Sequence, residues 1–211
     1  MLWRREVFAE ALGTYGLVFA GCGAICVEQL TGALGHVGVA IVWGLIVLAM
    51  IEAFGEVSGA HFNPAVTLAF AIAGRFPKNK IIPFIIGQSM GGLLAACSLL
   101  LFFPLSPTLG SSLPHPEFGS TQISLGLEVL LTFALMLVIL QVSTGAKEKG
   151  ITAGLTIGGV VLLEAMFAGS ICGASMSPVR SLAPALLSGN LQSLWAYVIG
   201  PITGAALAVP V

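Results

Sequence analysis

Two short stretches of the chain combine a polar residue with a proline inside apolar sequence, and they align without a gap at an offset of 114 residues. The residues are Asn63, Pro64 and Ala65 in the first stretch and Ser177, Pro178 and Val179 in the second. Asparagine or serine before proline is typical of a helix start, because the side chain caps free N–H groups and proline lacks the N–H that would be lost. Each stretch predicts a short helix of roughly ten residues, about 15 Å long.

The polar side chains at these helix starts could donate hydrogen bonds to a solute. Asn63 can accept from its own helix with its amide oxygen and still present two N–H donors. Ser177 has one hydroxyl proton and a shorter reach, so it either only caps its helix or also acts as a donor. Arg180 adds a fixed positive charge with five donors in one plane. Arg180 either pairs with lipid headgroups or lines a pore, and its position inside the repeated stretch favours the pore.

Both helix starts lie in a chain with the composition of a multi-span membrane protein. Of 211 residues, 57% are hydrophobic and 8% are charged, which excludes a soluble domain. A helix of roughly ten residues crosses only about half of the hydrocarbon core. Paired short helices in two halves of a chain indicate a site near the bilayer midplane, and non-helical backbone at that depth must be buried in protein or face a water-filled cavity. The two stretches therefore predict a pore.

Six longer apolar segments complete the predicted fold, which is all-α. Their predicted bounds are about Val7 to Val27, Gly35 to Val57, Ile81 to Phe103, Gln122 to Ser143, Ile151 to Ala168 and Leu191 to Val211. Three transmembrane helices and one re-entrant half-helix fall in each of two repeats, about 1–103 and 122–211, which together predict a single channel domain over residues 1–211. Because each repeat has an odd number of spans, the repeats are inverted and the two half-helices meet tip to tip.

The distribution of basic residues predicts the orientation. Seven of the eight lie at the amino terminus or in the links after the first half-helix and the fourth span, and they are Arg4, Arg5, Arg75, Lys78, Lys80, Lys147 and Lys149. With six spans these segments share one side of the membrane. Since cytoplasmic loops carry an excess of Lys and Arg, we expect a cytoplasmic amino terminus in the cell membrane, whether plasma or inner membrane.

Two acidic residues, Glu10 and Glu128, lie at comparable places in the two repeats. An intramembrane carboxylate is by default a functional residue such as a proton relay. Its repetition favours a supporting role, in which each carboxylate accepts hydrogen bonds from the N–H groups of the non-helical backbone ahead of a half-helix. Glu164 has no such counterpart and is a candidate hydrogen-bond acceptor near the pore mouth.

The three histidines indicate neither a metal site nor a catalytic site. His61 precedes the first half-helix, where a packed histidine with one hydrogen bond is expected as structural support, and His36 and His115 lie far from it in the sequence. Three scattered histidines make no metal site, and no Ser-His-acid arrangement indicates an enzyme. We expect no cofactor. The net charge of −1 and the lack of a basic stretch give no indication of a nucleic-acid partner.

These motifs resemble those of the aquaporin and aquaglyceroporin family, the major intrinsic proteins, whose mark is a pair of Asn-Pro-Ala half-helices. The matching segments extend over essentially the whole chain and are Ala9-Glu-Ala-Leu-Gly-Thr, Ser58-Gly-Ala-His-Phe-Asn-Pro-Ala-Val-Thr, Gln88, Gly173-Ala-Ser-Met-Ser-Pro-Val-Arg-Ser, Trp195 and Gly200-Pro. The resemblance implies a selectivity filter, a passive channel and a homotetramer with one pore per chain. By the family's spacing the filter residues are Trp43, Ala165, Ala174 and Arg180.

This filter is similar to that of the nodulin-26-like and glycerol-conducting branches of the family. The resemblance therefore implies small uncharged solutes, namely glycerol-like polyols and neutral hydroxides such as arsenous or boric acid, together with water. The chain departs from the family at Ser177 and Val179, where the second motif loses an amide donor and gains a bulkier side chain. We expect both changes to alter the place where the half-helices meet.

Three other functions compete with this interpretation. The first is a water-selective aquaporin, and the second is a structural membrane protein whose pore is closed by Val179. The third is a proton-coupled secondary transporter, since inverted repeats also occur in transporters. The carboxylates available to such a transporter are Glu10, Glu52, Glu128 and Glu164.

Overall fold

The computed structural model describes residues 2–143 and 149–211, with side chains over 4–143 and 152–211, and all regular secondary structure in these residues is helical. The helices are α1 (Leu2–Thr31), α2 (Gly35–Ser58), α3 (Pro64–Ile72), α4 (Ile81–Phe102), α5 (Thr121–Val142), α6 (Lys149–Cys172), α7 (Pro178–Ser188) and α8 (Ala196–Leu207). A 3₁₀ turn, Lys78–Lys80, precedes α4. Lys147, part of the predicted orientation, lies outside the described residues, and so does the side chain of Lys149.

Five of the described helices, α1, α2, α4, α5 and α6, are long and apolar enough to cross a membrane. The sixth predicted span, Leu191 to Val211, was too long at both ends, because the helix there runs only from Ala196 to Leu207. Residues 192–195 form turns, and Ser193 has a left-handed φ of 60°. Hydropathy does not distinguish apolar turns from apolar helix, so the sequence overestimated this span.

The two predicted half-helices are present as α3, nine residues long, and α7, eleven residues long. The Asn63 Oδ1 atom accepts a hydrogen bond from the Ala65 N–H at 2.9 Å. The Ser177 Oγ atom accepts one from the Arg180 N–H at 3.4 Å. The sequence therefore predicted both helix starts correctly, since a capping side chain followed by proline is a local signal.

The loops ahead of α3 and α7 adopt the same backbone conformation. Three corresponding pairs of residues have left-handed φ angles: Gly59 and Gly173 (85° and 84°), Ala60 and Ala174 (50° and 38°), and Phe62 and Met176 (49° and 54°). A positive φ at a residue other than glycine costs free energy. Two loops that share three such positions must each be held by groups outside the loop.

Glycines allow the helices around the half-helices to pack at close range, with α1 against α4, α5 against α8 and α2 against α6. On α4, Gly87 and Gly91 are four residues apart, and Gly200 and Gly204 have the same spacing on α8. A Cβ atom at Gly87 would lie 2.7 Å from the Val7 carbonyl oxygen. Small residues at this spacing let helix backbones approach closely in membranes. The long helices can therefore pack tightly around the two half-helices.

The glycine packing predicts a stability difference between two Gly→Ala variants. At Gly91 a Cβ would clash with the carbonyl oxygen of Ala11, whereas at Gly126, within α5, nothing lies within 4 Å of an added Cβ. We expect Gly91→Ala to destabilise the protein by about 1–3 kcal/mol through overpacking. Gly126→Ala should be neutral or stabilising by up to about 1 kcal/mol, since alanine is the better helix former. Thermal unfolding in detergent checks both, and equal shifts would contradict this packing.

Candidate pore and its constriction

A cavity of about 720 Å³, here called the central cavity, lies against the tips of both half-helices. Its polar wall includes Asn63, Ser177 and Arg180, and much of the rest of its surface is aliphatic or aromatic. Glu52 and Glu56 also line it, with exposed side chains one helical turn apart on α2. A mostly apolar cavity with a few donors at one level suits a small amphipathic solute.

A second cavity of about 570 Å³ borders the segment that joins the two repeats and is here called the linker-side cavity. Its lining includes His36 of α2, Thr108 and His115 of the linker, and Ala165 and Gly169 of α6. Imidazole, hydroxyl and backbone groups make this cavity more varied in hydrogen-bonding groups than the aliphatic parts of the central cavity.

Trp43 and Arg180 line both cavities and mark the level at which the cavities adjoin. The Arg180 Cζ atom lies 4.7 Å from the centroid of the Trp43 ring. Ala174 lies on the central side of this junction and Ala165 on the linker side. All four residues that the sequence suggested for the constriction thus line one or both cavities, although they come from α2, α6, α7 and a loop.

The Arg180 guanidinium is held by neutral groups. The residue is 5% exposed, and its Nη1 atom donates to the carbonyl oxygen of Gly110 at 3.0 Å and to the hydroxyl of Ser112. In the part of the chain that the structure describes, the one salt bridge joins Lys80 and Glu6 and does not involve Arg180. Its positive charge is therefore not neutralised by a described carboxylate, and its field acts on the junction.

The tips of the two half-helices are joined by a hydrogen bond, which corrects one expectation. Both amide N–H groups of Asn63 were expected to face the pore, but Nδ2 donates to the Met176 carbonyl oxygen at 2.6 Å. The Oδ1 atom caps α3. One N–H of Asn63 therefore remains for a solute, and the other connects the first tip to the loop of the second repeat.

Ser177 both caps its helix and lines the central cavity. Its oxygen accepts from the Arg180 N–H, and its hydroxyl donates to no group among the described residues. Since a hydroxyl carries one proton and two acceptor sites, the proton of Ser177 is available to a solute. The geometry therefore supports both roles that the sequence left open for this residue.

The Val179 side chain points at α4 and not at the place where the half-helices meet, contrary to expectation. A Cβ atom at Gly92 of α4 would lie 2.5 Å from the Val179 Cγ1 atom, so the valine side chain packs into the space left by that glycine. Pro64, Ala65, Pro178 and Val179 are all buried and line neither cavity. The idea that Val179 closes the pore is therefore wrong, because its side chain points at a neighbouring helix.

The carboxylate of Glu10 accepts four hydrogen bonds, three of them from the segment ahead of α3. The donors are the Ser58 hydroxyl (2.7 Å), the His61 N–H (3.0 Å), the Phe62 N–H (2.7 Å) and the Gln88 amide (2.7 Å). Glu10 is fully buried. These are the hydrogen bonds predicted from its repeated position, and they satisfy the backbone of a loop that has no helix or strand to do so.

Glu128 does the same in the second repeat, with fewer partners. Its two oxygens accept from the N–H groups of Ser175 and Met176, each at 2.7 Å. Glu164 lines neither cavity, although the adjacent Ala165 lines the linker-side cavity, so its role as an acceptor near the pore mouth stays a prediction. Its Oε2 atom is buried without a hydrogen-bond partner among the described residues.

His61 lines the central cavity and is fixed by its surroundings. Its Nδ1 atom lies 3.1 Å from the Thr67 hydroxyl, and its ring centroid lies 4.8 Å from that of Phe70 and 5.4 Å from that of Phe84. Among the described residues no group of three His, Cys, Asp or Glu side chains could hold a metal ion. The surroundings of His61 are those of a packed support.

Several residues at the site were not identified from the sequence. Gly110 and Ser112 hold Arg180, His36 and His115 line the linker-side cavity, and Gln88 supports Glu10. The linker is rich in Pro, Ser and Gly and has no periodicity, so nothing local distinguishes Ser112 from the serine beside it. Its neighbour in space, Arg180, is 68 residues away in the chain.

Long apolar helices around two re-entrant half-helices, with two adjoining cavities between them, define a multi-pass membrane protein of the channel type. The chain belongs to the major intrinsic protein family, whose model matches residues 1–211. Members of this family are channels rather than enzymes, and this chain is accordingly a channel for small solutes. The fold predicted from the sequence, with six spans and two half-helices in an inverted repeat, is confirmed.

Individual relatives agree with this assignment. Aquaporin NIP1-1 of Zea mays is 46% identical over 203 residues, which are 95% of this chain and 71% of that protein. Aquaporin NIP1-2 of Arabidopsis thaliana is 45% identical over 208 residues, which are 95% of this chain and 70% of that protein. The X-ray structure of the aquaglyceroporin from Plasmodium falciparum has the same fold, with a TM-score of 0.88 at 24% identity, over 99% of this chain and 94% of that one.

The packing of Val179 predicts that Val179→Ala changes stability and not selectivity. Removing two buried methyl groups beside Gly92 should cost about 1–3 kcal/mol, because the lost side chain leaves a void between α7 and α4. The ratio of glycerol to water permeability should stay at the wild-type value, since the residue lines neither cavity. Thermal unfolding and stopped-flow light scattering on proteoliposomes measure the two quantities. A wider pore with unchanged stability would show that the valine faces the solute.

Proposed function

We propose that the protein is a passive channel for small uncharged solutes and water, and that Trp43, Ala165, Ala174 and Arg180 form its selectivity filter. The solutes are glycerol-like polyols and neutral hydroxides such as arsenous or boric acid. The observation that carries the proposal is the junction of the two cavities, where an indole ring and a guanidinium are in contact, and alanines occupy the other two proposed positions, one lining each cavity.

This junction suits a molecule with hydroxyls on one side and an apolar surface on the other. The Arg180 guanidinium only donates hydrogen bonds, so it binds the hydroxyl oxygens of a solute. The Trp43 ring offers an apolar surface to the carbon backbone of a polyol. Ala165 and Ala174 leave space that larger side chains would fill. Beyond the junction, Ser177 and Asn63 each supply one donor that guides the solute through the central cavity.

Charge excludes cations from this path, including hydronium. The N-termini of α3 and α7 each carry about half an elementary positive charge from the helix dipole, and both lie at the central cavity. Arg180 adds a full charge that no described carboxylate pairs. Positive helix ends together with a lining arginine form an electrostatic barrier to protons and cations, while a neutral molecule passes.

The supporting carboxylates argue against a proton-coupled transporter. Glu10 accepts four hydrogen bonds and Glu128 accepts two backbone N–H groups, and neither lines a cavity. Protonating either carboxylate would place a carboxyl O–H donor next to an N–H group that already donates to it, and a hydrogen bond to the loop would be weakened or lost. Glu164 also lines neither cavity. A carrier that must bind and release protons during transport needs access to the pore, which these three residues lack. The fourth candidate, Glu52, does line the central cavity, and the pH-gradient measurement below tests its involvement.

The proposal also includes the domain organisation, the oligomeric state and the orientation of the protein in the membrane. Residues 1–103 and 122–211 form one channel domain, and every residue of the proposed filter comes from a single chain. The protein is a homotetramer with one pore in each subunit, set in the cell membrane with its amino terminus in the cytoplasm. The naming of its Zea mays and Arabidopsis thaliana relatives as aquaporins supports water as one of the permeants.

A solute panel on purified proteoliposomes tests the proposal. Water, glycerol, boric acid and arsenous acid are each driven by a concentration gradient, and vesicles without protein give the background. We expect permeation of all four, linear in concentration and unaffected by a pH gradient. Uptake driven by protons would favour a transporter, and water flux without the other solutes would indicate a water-selective pore.

The filter assignment predicts a size effect at Ala165. Ala165→His places an imidazole at the junction, so we expect glycerol permeability to fall by about tenfold or more while water permeability falls less, because water needs the smaller opening. Ala165→Ser adds one oxygen and serves as the control, with a glycerol-to-water ratio close to that of the wild type. If both variants keep that ratio, Ala165 is not part of the filter.

A further inference from the structure

Three buried serines from different segments lie in a row beside the proposed filter. Ser112 belongs to the linker between the repeats, Ser175 to the loop ahead of α7, and Ser181 to the first turn of α7. They are 5%, 6% and 1% exposed, respectively. The row begins at the Arg180 guanidinium and ends at the carbonyl of Ser177, so it connects the junction of the cavities to the tip of the half-helix.

Each step of this serine chain is a short hydrogen bond. The Arg180 Nη1 atom donates to the Ser112 hydroxyl. The Ser112 and Ser181 hydroxyl oxygens are 2.7 Å apart, and those of Ser181 and Ser175 are 2.5 Å apart. The Ser175 hydroxyl then donates to the Ser177 carbonyl oxygen at 2.9 Å. The chain therefore starts at a group that can only donate and ends at one that can only accept.

The two ends determine the direction of every hydrogen bond between them. Each hydroxyl carries a single proton, and that of Ser175 is used on the Ser177 carbonyl. Ser181 must therefore donate to Ser175, and Ser112 must donate to Ser181. Ser112 then has its lone pairs directed at the guanidinium. A charged donor and a row of hydroxyls with one orientation polarise one another, which strengthens the contact at Arg180.

The first repeat shows what the position does without an arginine. Thr67 corresponds to Ser181 at the repeat offset of 114 residues, and its hydroxyl donates to the Asn63 carbonyl of its own helix. It makes no contact with a linker hydroxyl among the described residues. The extended chain of hydroxyls thus occurs in the repeat that carries the guanidinium, which indicates a role connected with that charge.

We propose that Ser112 and Ser181 are positioning residues that hold the Arg180 guanidinium against the linker, at the edge of the path that a solute takes. Apart from the serine, Nη1 has the Gly110 carbonyl, and the guanidinium is also in cation–π contact with the Trp43 ring, with Cζ 4.7 Å from the ring centroid. Loss of the serine chain leaves the Gly110 carbonyl and the indole face as its partners, so the guanidinium moves off the linker toward the indole and into the space beside it, which narrows the path. This inference rests on the proposed function, in which the solute passes the Arg180–Trp43 pair at the junction of the cavities.

The test is the ratio of glycerol to water permeability in the same proteoliposomes, a ratio that does not depend on how many channels are folded. We expect Ser112→Ala and Ser181→Ala each to lower the ratio roughly three- to tenfold, since a hydrogen bond to a charged group is lost or weakened. The double variant should lower it no further than the stronger single change, because both residues act through one chain. Ser181→Thr keeps the hydroxyl and should restore most of the ratio.

A matched control is Ser124→Ala, which removes a fully buried hydroxyl of α5 that is not part of the serine chain and lines neither cavity. Its ratio should equal that of the wild type. If an alanine variant fails to fold, Ser112→Cys replaces the hydroxyl by a weaker hydrogen-bonding thiol of similar size, and its ratio should fall in the same direction.

The outcomes separate this inference from the proposed function. A wild-type channel that passes glycerol, with all serine variants at the wild-type ratio, would overturn the serine chain and leave the proposed function intact. Wild-type vesicles that pass no glycerol or other neutral hydroxide would overturn the proposed function, and the positioning role would fall with it. Singly altered variants whose effects add up in the double variant would also overturn the inference, because one chain cannot be broken twice.

Discussion

The structure depends on one constraint, that non-helical backbone at the middle of a membrane must have its N–H groups satisfied by protein or water. The loops ahead of α3 and α7 place such backbone there, with left-handed residues at three positions each. Glu10 and Glu128 resolve the problem by accepting the loop N–H groups from inside the protein. Each buried carboxylate in turn gains hydrogen bonds that offset the cost of removing its charge from water. The half-helices can then point their N-termini at one another.

Close packing around the loops follows from the same constraint. A carboxylate on α1 or α5 reaches a loop only if the helices around it lie near the axis of the molecule. Glycines at α1–α4 and α5–α8 contacts allow this, because a single Cβ at Gly87 or Gly91 would meet a backbone carbonyl. The helices that form the ring and the loops inside it are therefore interdependent, and the cavities are the space that remains between them.

The second repeat has diverged from the first while keeping its backbone. It carries Ser177 in place of asparagine, and Val179 is accommodated by Gly92, which has no side chain to obstruct it. It also carries Arg180, and the linker and three serines are arranged around the charge of that residue. The first repeat supplies the amide that joins the two tips, through Asn63 and the Met176 carbonyl. The two repeats thus share one backbone conformation but place different side chains at the pore.

The sequence by itself determined the features that depend on local signals. Capping residues before proline predicted both half-helices, and the repeat predicted the supporting role of Glu10 and Glu128. Apolar length predicted three spans closely, the first and fifth too short and the sixth too long. The tertiary structure alone decided which way Val179 points, that one amide N–H of Asn63 is already used, and that Ser112 holds Arg180. These depend on groups up to 113 residues apart in the chain, and their distances are set by helix packing, which leaves no periodic pattern in the sequence.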